Sequence, residues 1–290
     1  MSESVILAGA CTPSGDLFAG LGALSSVTLG ALIIEGALDR AGICAADVDY
    51  VITGQEQARQ AAQRACIPDR VPAISVSRTR LSGLNVIALA DQLIRGGQRD
   101  VVVVGGVDLG DDARLAQGTL SRRRPEGAVL DAMVGGSVAR RDIAAHFGPT
   151  AAPGLPRRAD CAVAIVLMRR AKAERLGLPW LAGVGAHSTV VTSAGSSYAQ
   201  AVRAIRQALR EVPATPKDLR LVEVRKTLLA NGMDRTPVPL SAAGHAFDTT
   251  GMRMVLRLAQ ALKRRGRGMG AASMWGDHPA EAVIVCSHAF

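Results

Sequence analysis

Residues 81–106 read LSGLNVIALADQLIRGGQRDVVVVGG, and this stretch decides the fold class. Leu81–Arg95 is long and apolar enough for a buried helix, and Gly96-Gly97 stops it. Val101-Val102-Val103-Val104 follows with no polar alternation. A β-branched run of that kind predicts a strand covered on both faces, as in a parallel sheet lined by helices.

The same alternation extends outward. Strands are predicted over Val5–Ala10, Val48–Thr53 and Ala73–Ser77. Helices are predicted over Ser26–Ala41, with Gly42 as its stop, and Gln57–Ala65, ended by Pro68. Val107–Pro153 breaks the pattern with weak periodicity, many glycines and the basic run Arg122-Arg123-Arg124-Pro125. It reads as an inserted surface segment with a short helix over Asp131–Phe147. The pattern then resumes. Strands are expected over Cys161–Met168, Leu181–Ser188, Leu219–Val224, Gly270–Met274 and Ala282–Cys286. Helices are expected over Arg169–Leu176, Tyr198–Glu211 and Gly251–Arg265. The fold class is therefore α/β. The segments are residues 1–106, an insertion at 107–153, and 154–290.

The two halves are alike. Ser82-Gly83-Leu84 opens one long helix and Thr250-Gly251-Met252 opens another. Each runs to a basic end, then glycine, then a strand, with Gln92 and Gln260 at matched positions. Internal duplication accounts for this.

Composition narrows the function. The 290 residues carry 48% apolar and 3% aromatic side chains. That supports a large core and leaves few stacking platforms for single-stranded nucleic acid. Lys+Arg outnumber Asp+Glu by 34 to 25, a net charge of +9. Lysine occurs only at Lys172, Lys217, Lys226 and Lys263. The charge is scattered rather than massed, so nucleic acid is not expected as a partner. Leu17–Ile34 is uncharged but glycine- and serine-rich, and reads as a loop and buried helix rather than a membrane span. The cysteines Cys11, Cys44, Cys66, Cys161 and Cys286 are odd in number and contain no Cys-Xaa-Xaa-Cys pair. Neither disulfide framework nor metal site is expected, and a reducing cytoplasm fits.

Several stretches resemble the thiolase family of the acetyl-CoA acetyltransferase type. These are Val5-Ile6-Leu7-Ala8-Gly9-Ala10 with Thr12-Pro13-Ser14-Gly15, Val48–Gln55, Ala58–Ala62, Leu81–Gly106, Leu167–Leu176, Leu221–Val224, Gly244-His245 and Arg264–Ala272. The resemblance implies the thiolase fold: two similar βαβαβαββ halves in five layers, α-β-α-β-α, with the loop domain truncated to Val107–Pro153. It also implies a homodimer, or a heteromer with a thiolase-type subunit, built around Ala73–Ser77.

Active thiolases acylate a cysteine thiolate at a helix N-terminus, with a histidine to activate it and a second cysteine to move a proton. The family motif Cys-Xaa-Ser-Gly-Leu falls on Arg80-Leu81-Ser82-Gly83-Leu84, so Arg80 replaces the nucleophile. The family's Asn-Glu-Ala-Phe falls on Arg225-Lys226-Thr227-Leu228. Gly-His-Pro falls on Gly244-His245-Ala246, which leaves His245 as the remnant catalytic-type residue. Met274-Trp275-Gly276-Asp277 stands where the second cysteine belongs. Pro156-Arg157 stands at the pantetheine contact.

A protein without thiolase catalysis is thus expected, with coenzyme A bound weakly or not at all. Its role would be structural or regulatory beside an acyl-CoA-processing enzyme. The alternatives are an acyltransferase with a relocated nucleophile, for which Cys11 and Ser82 are the candidates, and a binder of an acyl or anionic small molecule. Cys66, Cys161 and Cys286 are expected as small core residues. Arg80 either holds an anion at its helix end or reaches out to solvent or a subunit interface.

Overall fold

The computed structural model describes residues 3–12, 24–54, 57–76, 82–108, 161–191, 197–224, 249–275 and 279–287. In chain order these form β1 (Ser4–Cys11), α1 (Ser26–Ala41), β2 (Tyr50–Thr53), α2 (Ala58–Arg64), β3 (Ala73–Ser75), α3 (Ser82–Arg95) and β4 (Val101–Asp108). There follow β5 (Cys161–Arg169), α4 (Arg170–Arg175), β6 (Ala182–Val191), α5 (Ser197–Arg210), β7 (Leu219–Val224), α6 (Thr250–Arg265), β8 (Met269–Trp275) and β9 (Pro279–Cys286). The helix expected over Asp131–Phe147 lies outside the described residues.

The valine run behaves as its chemistry demands. All four side chains at the start of β4 are fully buried, Val101 and Val103 in one core and Val102 and Val104 in another. The strand order is β3-β2-β4-β5-β1-β6-β9-β8-β7. β2 pairs in parallel with β3 and β4, and β7 with β8, whereas β5 and β9 run antiparallel to their neighbours. β1 and β6 meet only through Val5↔Gly183 and Ile6↔Ala182. At that short seam the sheet divides into two halves.

Three cores define the layers. One joins α1 and α2 to the outer face of the first half-sheet. A second sets α3 and α6 between strands of both halves, with Val102, Ile165, Leu221 and Val283 among them. A third joins α5 to the outer face of the second half-sheet. The result is the five-layer α-β-α-β-α arrangement of the thiolase fold. On α3, Leu84, Ile87 and Ile94 are fully buried at helical spacing, and each contributes about 1.5–3 kcal/mol.

β5 lies between β4 and β1 in the sheet. It follows the insertion in sequence, yet it pairs with β4 from Val101↔Met168 to Asp108↔Cys161 and with β1 from Ser4↔Arg169 to Cys11↔Val163. Both of its ladder partners, β4 and β1, precede the insertion. A continuous apolar strand is buried on both faces but does not encode its neighbour. β4 likewise continues past Gly106 to Asp108.

Polar groups fix the central layer. Asp91, fully buried on α3, accepts from the Ser4 hydroxyl and pairs with Arg95 Nε at 2.7 Å. Arg95 Nη2 then donates to the carbonyls of Val184 and Gly185 at 3.0 and 2.7 Å, where β6 carries a bulge. His187 Nε2 lies 3.5 Å from Asp91 Oδ2. This network ties the C-terminal end of α3 to both half-sheets, and it satisfies a carboxylate that would be costly to bury alone.

Candidate functional site

The carboxyl end of β4, the start of β5 and the first turns of α3 and α6 converge. Two glycines permit the approach. A Cβ on Gly251 would lie 2.7 Å from the Leu84 backbone nitrogen and 3.0 Å from the Gly83 carbonyl carbon. A Cβ on Gly106 would lie 2.7 Å from the Met252 terminal methyl. The matched Ser-Gly and Thr-Gly openings in the sequence thus bring two helix N-termini together.

Thr249 and Asp108 lock this junction. Asp108 Oδ2 accepts from the Thr249 backbone N–H at 2.8 Å and from its hydroxyl at 2.7 Å. On the α3 side, Asn85 Nδ2 donates to Glu281 Oε1 of β9 at 3.4 Å, and Glu281 is buried. Thr12 closes the end of the β1–β5 ladder: its hydroxyl accepts from Ala162 N at 2.8 Å and its N–H donates to Ala162 O at 2.9 Å.

Two of the thiols are held away from nucleophilic use. Cys161 is fully buried; desolvation raises its pKa, and the nearby Arg253 charge and a Thr249 hydrogen bond only partly oppose that. Burial pushes the Cys286 thiol up to about 12. Both stay protonated at neutral pH and are poor nucleophiles. Cys11 is partly exposed at the end of β1, near Cys161. Cys66 corrects an expectation. It is an exposed turn residue with φ 58° after α2, not a core residue, because α2 ends at Arg64. All five cysteines are free, and no metal-binding group of His, Cys, Asp or Glu occurs among the described residues.

Arg80 and His245 lie outside the described residues, as do Arg225–Leu228, Pro156-Arg157 and Gly276-Asp277. Ser82 is the first helical residue of α3. Met274 is buried on β8, so the position read as replacing a catalytic thiol carries a core thioether.

Sequence reasoning missed the polar residues of this end. Asp108 follows a two-glycine step at the close of an apolar run. Glu223 stands two residues after Leu221 on β7 and shares its face, which packs in the central layer. It is buried, its carboxylate oxygens make no hydrogen bond, and Arg257 Nη1 lies 3.5 Å from Oε1. Desolvation pushes its carboxyl up to about 7, with Arg257 and Arg253 pulling the other way.

The five-layer architecture defines the class, and comparison with solved structures agrees. The chain superposes on human mitochondrial 3-ketoacyl-CoA thiolase in complex with CoA with a TM-score of 0.76 at 19% identity, covering 99% of this chain and 98% of the other. The acetyl-CoA acetyltransferase of Syntrophomonas wolfei gives a TM-score of 0.71 at 16% identity. The thiolase N-terminal domain family matches residues 4–152. A probable acetyl-CoA acetyltransferase of Mycolicibacterium smegmatis is 30% identical over 376 aligned positions, covering 94% of this chain and 97% of that protein. One from Mycobacterium tuberculosis is also 30% identical, over 380 positions. The chain belongs to the thiolase family. Because the alignments run longer than its 290 residues, it lacks segments that these relatives carry.

Proposed function

We propose that this thiolase-family protein does not perform thiolase catalysis and acts as a structural or regulatory partner beside an acyl-CoA-processing enzyme. One observation carries the reading: Arg80 stands where the family motif places its nucleophilic cysteine. A guanidinium stays protonated and cannot attack a thioester. The buried, protonated state of Cys161 and Cys286 supports it, because neither thiol is available as a substitute.

The shortened Val107–Pro153 segment and Pro156-Arg157 at the pantetheine position argue for weak coenzyme A binding that fades with salt. Free thiols at all five cysteines suit a cytoplasmic protein. No helix among the described residues is long and apolar enough to cross a membrane. β3 ends the strand order, and we assign it to a two-fold contact with a second copy or with a thiolase-type subunit.

The test is an assay of acetoacetyl-CoA cleavage and acetyl-CoA condensation with the purified chain. No turnover above buffer is expected. Turnover that His245→Ala abolishes overturns the reading. Co-purification of a thiolase in stoichiometric amount identifies the partner role.

A second reading, an acyltransferase with a relocated nucleophile, rests on Cys11, which is partly exposed at the end of β1. Incubation with labelled acetyl-CoA and peptide mapping decides between the two. An acyl group on Cys11 establishes the second reading.

A further inference from the structure

At the amino ends of β2, β3 and β4 lies a cavity of about 390 Å³, lined by Asp49, Arg70, Pro72, Gln98, Arg99 and Asp100 among others. Its volume falls in the range of small-molecule sites. The converging helix N-termini described above lie beyond the other end of β4. Its eight residues at ~3.3 Å each put about 25 Å between the two ends. This cavity is therefore separate from the remnant thiolase site.

The carboxylates at the cavity are already used. Asp49 Oδ2 accepts from the Asp100 and Val101 backbone N–H groups at 3.0 and 2.9 Å. Asp100 Oδ1 accepts from Arg169 Nε at 2.5 Å, and its Oδ2 lies 4.0 Å from Lys172 Nζ.

The two arginines have no such compensation. Arg70 Nη2 donates to the Ala46 carbonyl at 3.0 Å, and Arg99 Nη1 donates to the Gln98 carbonyl at 2.9 Å. Both acceptors are neutral, and neither guanidinium pairs with a carboxylate among the described residues. Arg99 is also held over the Tyr50 ring, 5.4 Å from its centroid. Its Nε is buried and meets no hydrogen-bond partner. Its other guanidinium nitrogens are left to meet a ligand at the cavity. Arg99 is part-buried and Arg70 is exposed at the rim, and each offers a planar fork suited to an oxyanion.

We propose that this cavity binds a small multivalent oxyanion, a phosphate ester or a dicarboxylate, between Arg70 and Arg99. The guanidinium of Arg99 and that of Arg70, both in the cavity lining, supply the two positive charges.

Calorimetry on the full chain at low ionic strength tests this, with pyrophosphate and succinate as probes and glycerol as the neutral control. Saturable one-to-one binding of either anion, and none of glycerol, is expected. The anion that binds tells phosphate from carboxylate. Arg70→Gln and Arg99→Gln should each weaken binding at least about tenfold, with an unchanged circular dichroism spectrum. Arg99→Lys keeps the charge but loses the fork, and should fall between wild type and Arg99→Gln. Failure of both anions to bind at about 10 mM overturns the proposal. So does binding that survives the double Arg70→Gln, Arg99→Gln substitution.

Discussion

Thr249 donates its backbone N–H and its hydroxyl to the same oxygen of Asp108, at 2.8 and 2.7 Å, across 141 residues of chain. The bond pair joins the last residue of β4 to the residue that precedes α6. It holds the two duplicated units together at the end where their central helices begin. Thr249 does not cap its own helix with its side chain: its backbone is already in the helical region, and its hydroxyl points its proton at Asp108.

Asp108→Ala should therefore destabilise the fold by about 1–3 kcal/mol, the usual worth of hydrogen bonds to a charged acceptor at a partly buried site. Asp108→Asn keeps the acceptor but not the charge and should cost less. Urea denaturation of the two variants against wild type checks both the direction and the order.

Gly251→Ala sets two effects against each other. Alanine gains up to about 1 kcal/mol of helix propensity over glycine. The added Cβ would meet the Leu84 nitrogen at 2.7 Å, and that atom belongs to a buried helix backbone that cannot swing aside. Overpacking of this kind costs about 1–3 kcal/mol, so the net change should be destabilising. A thermal midpoint above that of wild type would show that α3 and α6 yield at this contact.

Glu223 supplies a pH dependence with a definite sign. Its carboxyl sits at about 7 in the fold, against an ordinary value of 4.5. The folded state therefore holds the proton more tightly than the unfolded chain. Its contribution is fully present below about pH 4.5 and is lost as pH rises through 7. Glu223→Gln removes the titration while keeping the shape. The advantage of the variant over wild type should grow by about 3 kcal/mol between pH 4.5 and pH 8 and then level off. Denaturation curves of both proteins at the two pH values measure it, and a pH-independent difference would contradict the shift.

Much of this architecture was legible because local and global signals agree. α1 spans Ser26–Ala41 as predicted, capped by the Ser25 side chain and stopped at Gly42 in the left-handed region. β7 spans Leu219–Val224 as read from its sequence. The valine run of β4 and the glycine openings of α3 and α6 encode the double-sided burial and the close helix contact. The pairing of β5 was not legible, since an insertion separates it from β4 and apolar strands carry no partner label. The polar junction was not legible either. Asp108, Thr249, Asn85 and Glu281 lie far apart in sequence, and only the folded chain sets them together. The cavity at Arg70 and Arg99 depends in the same way on which acids have found other partners.

The thiols give a direct test of burial. Cys44 and Cys66 are exposed and should react with a thiol reagent in the native state within minutes. Cys161 and Cys286 are buried with raised pKa values, so they should react only on unfolding. Mass mapping of native and denatured samples separates the groups. Rapid native labelling of Cys161 would show that the junction of β5 with Asp108 and Thr249 opens in solution.

The edge of the first half-sheet gives an expectation for the oligomeric state. β3 is three residues long, and β2 is its ladder partner. Ile74 is 39% exposed on it, a large apolar side chain on an edge strand with no charge of its own. Such an edge invites pairing, and a two-fold contact that buries it removes the hazard. A stable contact of this kind should cover more than about 1,000 Å² and centre on apolar side chains. Light scattering across a dilution series should give a dimer mass at micromolar concentration. Ile74→Lys should shift it toward monomer, because the contact would then bury a charge with nothing to neutralise it. A monomer mass for the wild-type chain, unchanged when an active thiolase is added, would remove both the self-association and the partner role that depends on this edge.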